Sequence, residues 1–154
     1  MVHLYGISGA AGEVYLAGEQ GFLRRLDSAG ERFVKVESPY QGSYFGLYVQ
    51  KNLLVVHGLR GNAYVSEDAG LQWHKVPTGV ASNIIAVLPG NGAELLFVSQ
   101  AGQVLRSTDY GRSVSMLTAP LNSEIYGAAA GITDNIITTG LSGVRSIRLP
   151  AIRN

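Results

Sequence analysis

The chain has 154 residues, with 12 Lys and Arg against 11 Asp and Glu, a balance too even to point to nucleic acid or an anionic membrane as partner. It has no cysteine, which excludes disulfides, thiolate catalysis and Cys-ligated zinc. No apolar run approaches the roughly 20 residues of a membrane-crossing helix, so membrane insertion is not expected. Charged residues make up 15% of the chain, below the roughly 25% of an average soluble domain, which implies that part of the surface is covered. Met1 to Gly6 carries neither the basic nor the apolar region of an export signal. A periplasmic or otherwise exported location is therefore an expectation only for a longer chain of which this is part.

Four copies of one four-stranded unit follow in chain order. Innermost strands are expected at Tyr5 to Ser8, Phe45 to Tyr48, Ile85 to Leu88 and Tyr126 to Ala129, each with Gly or Ala second, as close backbone approach requires. Second strands fall at Glu13 to Ala17, Leu53 to His57, Glu94 to Val98 and Asn135 to Thr139, and third strands at Phe22 to Leu26, Asn62 to Ser66, Gln103 to Ser107 and Val144 to Leu149. Outer strands are Phe33 to Glu37, Trp73 to Pro77 and Val114 to Thr118; the fourth unit has none, because only Pro150 to Asn154 remains. Between second and third strands stand Gly18 and Gly21, Gly58 and Gly61, Ser99 and Gly102, Gly140 and Gly143, each pair bracketing a two-residue hairpin tip.

Gly21, Gly61, Gly102 and Gly143 recur at spacings of 40, 41 and 41 residues, and a strand repeat of this period, without helical patterning, is the signature of propeller blades. The expected fold is all-β: a partial or half β-propeller of about four blades of antiparallel four-stranded sheet, the last incomplete. It occupies 1–154 as one segment with blades near 3–40, 41–80, 81–121 and 122–150. Runs such as Leu53-Leu54-Val55-Val56 and Leu95-Leu96-Phe97-Val98 are apolar on both faces, so both faces of a blade are expected to be packed. Three arrangements cover the end blades: a larger ring of which this is the C-terminal part, a half-ring completed by a second copy, or a strained four-bladed closure.

Between the third and outer strands of the second unit, Ser66-Glu67-Asp68-Ala69-Gly70-Leu71-Gln72-Trp73 fits S-x-D-x-G-x-x-W. In the third unit Ser107, Asp109 and Gly111 keep the pattern with Val114 in place of Trp, and in the first only Gly30 and Phe33 remain. Asp68 is suited to accept turn N–H bonds, Gly70 to a positive φ, Ser66 to a hydroxyl bond and Trp73 to anchoring the blade. A buried anchor would make Trp73→Ala cost about 3 to 5 kcal/mol. Motif and period together resemble the Asp-box, or BNR, repeat of sialidase-type propellers, most of all the photosystem II stability/assembly-factor-like group. The resemblance implies that Ser66, Asp68, Gly70, Trp73, Ser107, Asp109 and Gly111 are structural staples away from the ligand face.

No catalytic constellation emerges. A sialidase requires an arginine clamp and a Tyr–Glu pair, and its first-blade arginine motif is missing. A glycosidase of another kind requires two carboxylates roughly 5 to 9.5 Å apart, whereas Glu13, Glu19, Glu94, Glu124 and Asp134 fall at strand starts and tips. His3, His57 and His74 share no metal-ligand spacing; His57 is expected packed or at a hairpin edge and His74 exposed. No cofactor is expected. What remains is a loop surface presenting Tyr40, Gln41, Tyr44, Arg60, Gln20 and Gln100, with Ser142, of the residue types that interfaces favour, and a weaker basic patch of Arg24, Arg25, Arg106 and Arg145. The expected function is a non-catalytic module for protein–protein interaction or assembly, its partner another protein or a second copy. The alternative is a glycoside hydrolase or carbohydrate-binding propeller.

Overall fold

The computed structural model describes residues 1–132 and 134–150; residues 151–154, which the sequence leaves without a strand, lie outside them. Among the described residues the chain forms four antiparallel meander sheets. The first runs β1 (Leu4–Ala10), β2 (Glu13–Gly18), β3 (Leu23–Leu26), β4 (Phe33–Lys35), and the second β5 (Tyr44–Gln50), β6 (Leu53–Gly58), β7 (Ala63–Ser66), β8 (His74–Lys75). The third runs β9 (Ile84–Pro89), β10 (Leu95–Ser99), β11 (Val104–Ser107), β12 (Ser115–Thr118), and the fourth β13 (Ile125–Ala130), β14 (Asn135–Gly140), β15 (Gly143–Arg148). The molecule is an all-β partial propeller whose last blade has three strands among the described residues.

The continuous apolar runs work by alternation, since neighbouring residues of a strand face opposite sides of their sheet. Leu54 and Val56 pack with Tyr15, Ala17 and Leu23 of the first blade. Leu53 and Val55 point the other way, into a core with Leu95 and Phe97 of the third. Leu96 and Val98 then join Ile136 and Leu149 of the fourth. One run of aliphatic residues therefore feeds two inter-blade cores, and the two middle blades are covered on both faces.

The innermost strands β1, β5, β9 and β13 pack side by side in that order. A Cβ on Gly6 would come within 2.9 Å of the Gly46 Cα, so the small second residue is what lets these strands approach. The pairing of first and second strands slips at the same place in every blade, between Leu4 and Gly6, Tyr44 and Gly46, Val98 and Ser99, and Ile125 and Gly127. These are β-bulges, which re-aim the extra residue; Tyr5 and Phe45, two of the bulged residues, meet edge to face at 5.6 Å.

The expected two-residue tip is found only in the fourth blade, where Gly140 pairs with Gly143. In the others the hairpin closes one residue later, Gly18 N–H on the Phe22 carbonyl at 3.0 Å and Gly58 N–H on that of Asn62 at 2.9 Å. The added residue is absorbed by left-handed backbone at Gln20 and Gly21, and at Arg60 and Gly61. The first glycine of each pair has a different task. Gly58 has φ 175, which any residue adopts, yet a Cβ there would collide with the Ser43 carbonyl; Gly18 and Gly140 stand in the same relation to His3 and Glu124.

The described residues do not close into a four-bladed ring. Among the described residues β13 and β1 do not pack together as successive innermost strands do. Leu4, Ile7 and Phe33 on the first blade, and Tyr126, Leu141 and Val144 on the last, are exposed.

Two measurements check these contacts. Gly58→Ala should lose at least about 2 kcal/mol in urea unfolding, whereas Gly79→Ala, with φ 66 but open space, should lose only about 1. His57 is fully enclosed, with Nδ1 on the Ile84 carbonyl at 2.9 Å; a carbonyl only accepts, so Nδ1 carries the proton. Burial holds this imidazole at about 4, below its ordinary 6.5, so the folded state binds fewer protons than the unfolded one. Stability should fall as pH drops below 6.5, by about 3 kcal/mol once pH passes 4, and the slope between pH 6.5 and 5 should vanish in His57→Gln.

Candidate functional site

In a meander, alternate connections emerge at opposite ends of the sheet. The links from β2 to β3, β6 to β7, β10 to β11 and β14 to β15 therefore share one face with the links between blades. The other face carries the S-x-D-x-G turns and the hairpins joining each blade's first two strands; Ala69 N–H on the Asn52 carbonyl at 2.9 Å and Tyr110 N–H on that of Ala93 at 3.0 Å tie them together.

Each hairpin tip on the first face is held by the segment that leads into its own blade. The N–H groups of Glu19, Leu59, Gln100 and Leu141 donate to the carbonyls of His3, Ser43, Asn83 and Glu124 at 3.0, 3.0, 2.8 and 3.1 Å. Of the residues expected on this face, Gln20, Gln41 and Arg60 are exposed and Tyr40 and Gln100 half-buried. Tyr44 is a correction: it is wholly buried, its hydroxyl 2.7 Å from Ser38 Oγ, and burial pushes the phenol up to about 12. The aligned residues Ile84 and Ile125 are apolar and buried, which is the signal that marks the position as core. Tyr40 stacks on Tyr64 with centroids 5.8 Å apart, so its ring braces the wall and only part of it meets solvent.

A polar line that sequence reading did not assemble crosses the third and fourth blades. Asn83 Oδ1 accepts the Arg60 N–H at 3.0 Å and its Nδ2 donates to Gln100 Oε1 at 2.8 Å. Gln100 Nε2 donates to Glu124 Oε2 at 3.2 Å, as does the Tyr126 hydroxyl at 3.2 Å. Some loss of hydration and the adjacent Glu124 raise the Tyr126 phenol above its ordinary range. The line borders a groove of about 540 Å³ between Ala81–Asn83, Gln100–Ala101 and Leu121–Glu124. At the opposite end of the arc Tyr5 donates to Glu19 Oε1 at 2.8 Å and the His3 N–H to Oε2 at 3.2 Å; these donors, Tyr5 first, hold the Glu19 carboxyl below the usual range.

On the opposite face the two S-x-D-x-G turns share the same serine bonds. Ser66 Oγ donates to Asp68 Oδ1 at 2.7 Å and accepts the Gly70 N–H at 2.8 Å; Ser107 does the same with Asp109 and Gly111, both at 2.7 Å. Asp68 takes the Gln72 N–H at 2.8 Å, which with Ser66 lowers its carboxyl. Asp109 is held at about 2 by the Ser113 hydroxyl and N–H. Both are acceptors locked in turns. Gly70 and Gly111 sit against Val36 and Val76 of the preceding blade. Trp73 is half-buried and its Nε1 donates to the Glu37 carbonyl at 3.1 Å, so it staples its blade to the one before.

The remaining candidates are dispersed. Glu94 pairs with Arg106 at 2.8 Å and Glu13 with Arg25 at 3.6 Å, and Arg24 lies over the Phe22 ring at 4.5 Å. These arginines are thus individually engaged. His74 is not fully exposed as expected: its Nε2 meets the Tyr110 carbonyl of the next blade at 3.0 Å. Among the described residues no group of three His, Cys, Asp or Glu is placed to hold a metal.

The fold has clear counterparts among solved structures. YCF48 bound to D1 peptide matches with TM-score 0.78 at 12% identity over 96% of this chain and 51% of that one. YCF48 from Cyanidioschyzon merolae matches at 0.75 and 13%, over 97% and 54%. The computationally designed Ika4 protein matches at 0.78 and 11%, over 96% and 92%. The chain thus spans about half the length of the YCF48 chains. No protein-family model and no curated protein matches it. These likenesses establish a β-propeller fold.

The turn geometry sets two expected losses. Trp73→Ala should cost about 2 kcal/mol, less than a fully buried tryptophan would, and Ser66→Ala about 1 to 3 kcal/mol because the buried Gly70 N–H loses its acceptor. An unchanged melting temperature in either variant would contradict the staple geometry.

Proposed function

We propose that the chain is a non-catalytic propeller module of the Asp-box, assembly-factor-like kind, a single segment over 1–154, whose loop face binds an extended piece of another protein. The observation that carries this reading is the loop face itself. Every tip is pinned to a blade-entry carbonyl, so exposed Gln20, Gln41 and Arg60 and half-buried Tyr40 and Gln100 stand on a rigid frame, as recognition loops require. YCF48, whose fold this chain shares over half its length, was captured with a peptide, which supports the same use here. The S-x-D-x-G turns serve as braces, because Asp68 through Oδ1 and Asp109 through both oxygens accept donors of their own turns.

The exposed apolar residues at both ends of the arc lead to the second element of the proposal: further blades cover them, supplied by a second copy or by more of the same polypeptide. The residues of the inter-blade cores show what fits, since each end presents the kind of face that another blade covers within the chain.

Three measurements test the reading. Light scattering on the 154-residue chain should give at least twice 16.4 kDa; a stable monomer whose melting is independent of concentration would contradict the need for covering blades. Peptides selected against the chain from a display library should lose binding to the Gln20→Ala, Gln41→Ala, Arg60→Ala triple variant and keep it with Glu67→Ala, Arg112→Ala on the opposite face. The reverse pattern would remove the loop face from the proposal. Fluorogenic glycosides should not be turned over, and turnover abolished by a single Glu→Gln change would establish an enzyme instead.

A further inference from the structure

The hydrogen bonds at the groove between the third and fourth blades have a fixed direction. At one end the donor is the Arg60 backbone N–H, bonded to Asn83 Oδ1 at 3.0 Å, so the Asn83 amide cannot be reversed without losing that bond. Its Nδ2 must then face Gln100 Oε1, at 2.8 Å, and this turns Gln100 Nε2 toward Glu124 Oε2, at 3.2 Å. Tyr126 adds a second donor on the same oxygen at 3.2 Å. The carboxylate is held in place through Oε2, while Oε1 accepts no hydrogen bond from the described residues.

Glu124 differs in this from Glu19, the acid at the tip of the first blade on the same face, and from Glu13 and Glu94. Glu19 has donors on both oxygens, and Glu13 and Glu94 have arginine partners. Glu124 is exposed and forms no ion pair among the described residues. It borders a groove of about 540 Å³, within the range that accommodates small ligands.

We propose that this groove takes one cationic side chain, Arg or Lys, of an extended peptide, with Glu124 Oε1 as its anchor. A carboxylate only accepts hydrogen bonds, and covering it with a neutral, donor-poor partner would strip its water without replacing it. A guanidinium or ammonium supplies both the charge and the donors. The amides of Asn83 and Gln100 are already paired with each other, so they position Glu124 and leave recognition to it. Tyr126 is 56% exposed beside that carboxylate, and its ring offers an apolar surface to the stem of the incoming side chain. This inference rests on the reading of the loop face as a protein-binding surface and specifies the chemistry of its partner.

The test uses the ¹⁵N-labelled 154-residue chain titrated with three end-blocked peptides, Gly-Gly-Arg-Gly-Gly and its Gln and Glu counterparts. The arginine peptide should shift the amides of Gln100, Ser123, Glu124 and Tyr126 in a saturable way, and the other two should not. Glu124→Gln should weaken that binding at least tenfold with the spectrum otherwise retained, and Glu31→Gln, on the opposite face, should leave it unchanged. If the Gln peptide shifts the same amides as strongly and Glu124→Gln has no effect, the cationic requirement is overturned while the loop face still binds peptide. If none of the peptides shifts any loop-face amide, this inference is overturned; failure of the display-selected peptides as well would overturn the loop-face reading itself.

Discussion

One hydrogen bond, made once in each blade, governs the shape of the candidate surface. The first tip residue donates its N–H to the carbonyl of the residue that leads into the same blade's innermost strand. For that bond to form, the leading segment must cross directly over the residue before the tip, and at Gly18, Gly58 and Gly140 a Cβ would stand where the carbonyl lies. In the first, second and fourth blades the glycine therefore leaves room for the crossing carbonyl. In the third blade Ser99 takes the place of glycine and is itself wholly buried, its Oγ accepting the Gln103 N–H at 3.0 Å. The same crossing coincides with the bulge at the start of each innermost strand, so tip, entry segment and bulged residue form one unit.

Between blades, stability comes from apolar faces that alternate along continuous runs, supplemented by bonds that reach across. His57 to the Ile84 carbonyl and His74 to that of Tyr110 join the second and third blades, and Trp73 joins the second to the first. The repetition of this interface makes the end faces interpretable. What is exposed at Ile7 or Val144 is the half of a contact whose other half is visible elsewhere in the chain.

The blade repeat was legible in the sequence because a steric demand met by glycine in three of the four blades leaves a periodic mark. Each expected strand is found within two residues of its bounds, with the outer ones shorter than expected, as at His74–Lys75 against Trp73 to Pro77. The candidate surface was less legible. Tyr44 stands beside polar loop residues, and only its alignment with Ile84 and Ile125 reveals it as core. Asn83, Gln100 and Glu124 are 17 and 24 residues apart and are of unremarkable types for hairpin tips; their alignment into one line depends on how neighbouring blades are set side by side, which periodicity does not encode. Trp73 was recognisable as an anchor, but its target on the preceding blade was not.

The central claim is that tip and entry segment are locked together in every blade, since the rigidity of the face and the direction of the polar line both rest on it. Amide hydrogen exchange read by NMR addresses it residue by residue. The account predicts that the N–H groups of Glu19, Leu59, Gln100 and Leu141 exchange as slowly as those within the adjoining strands, although all four lie in hairpin tips. Exchange at the rate of open loops at these four positions would contradict it.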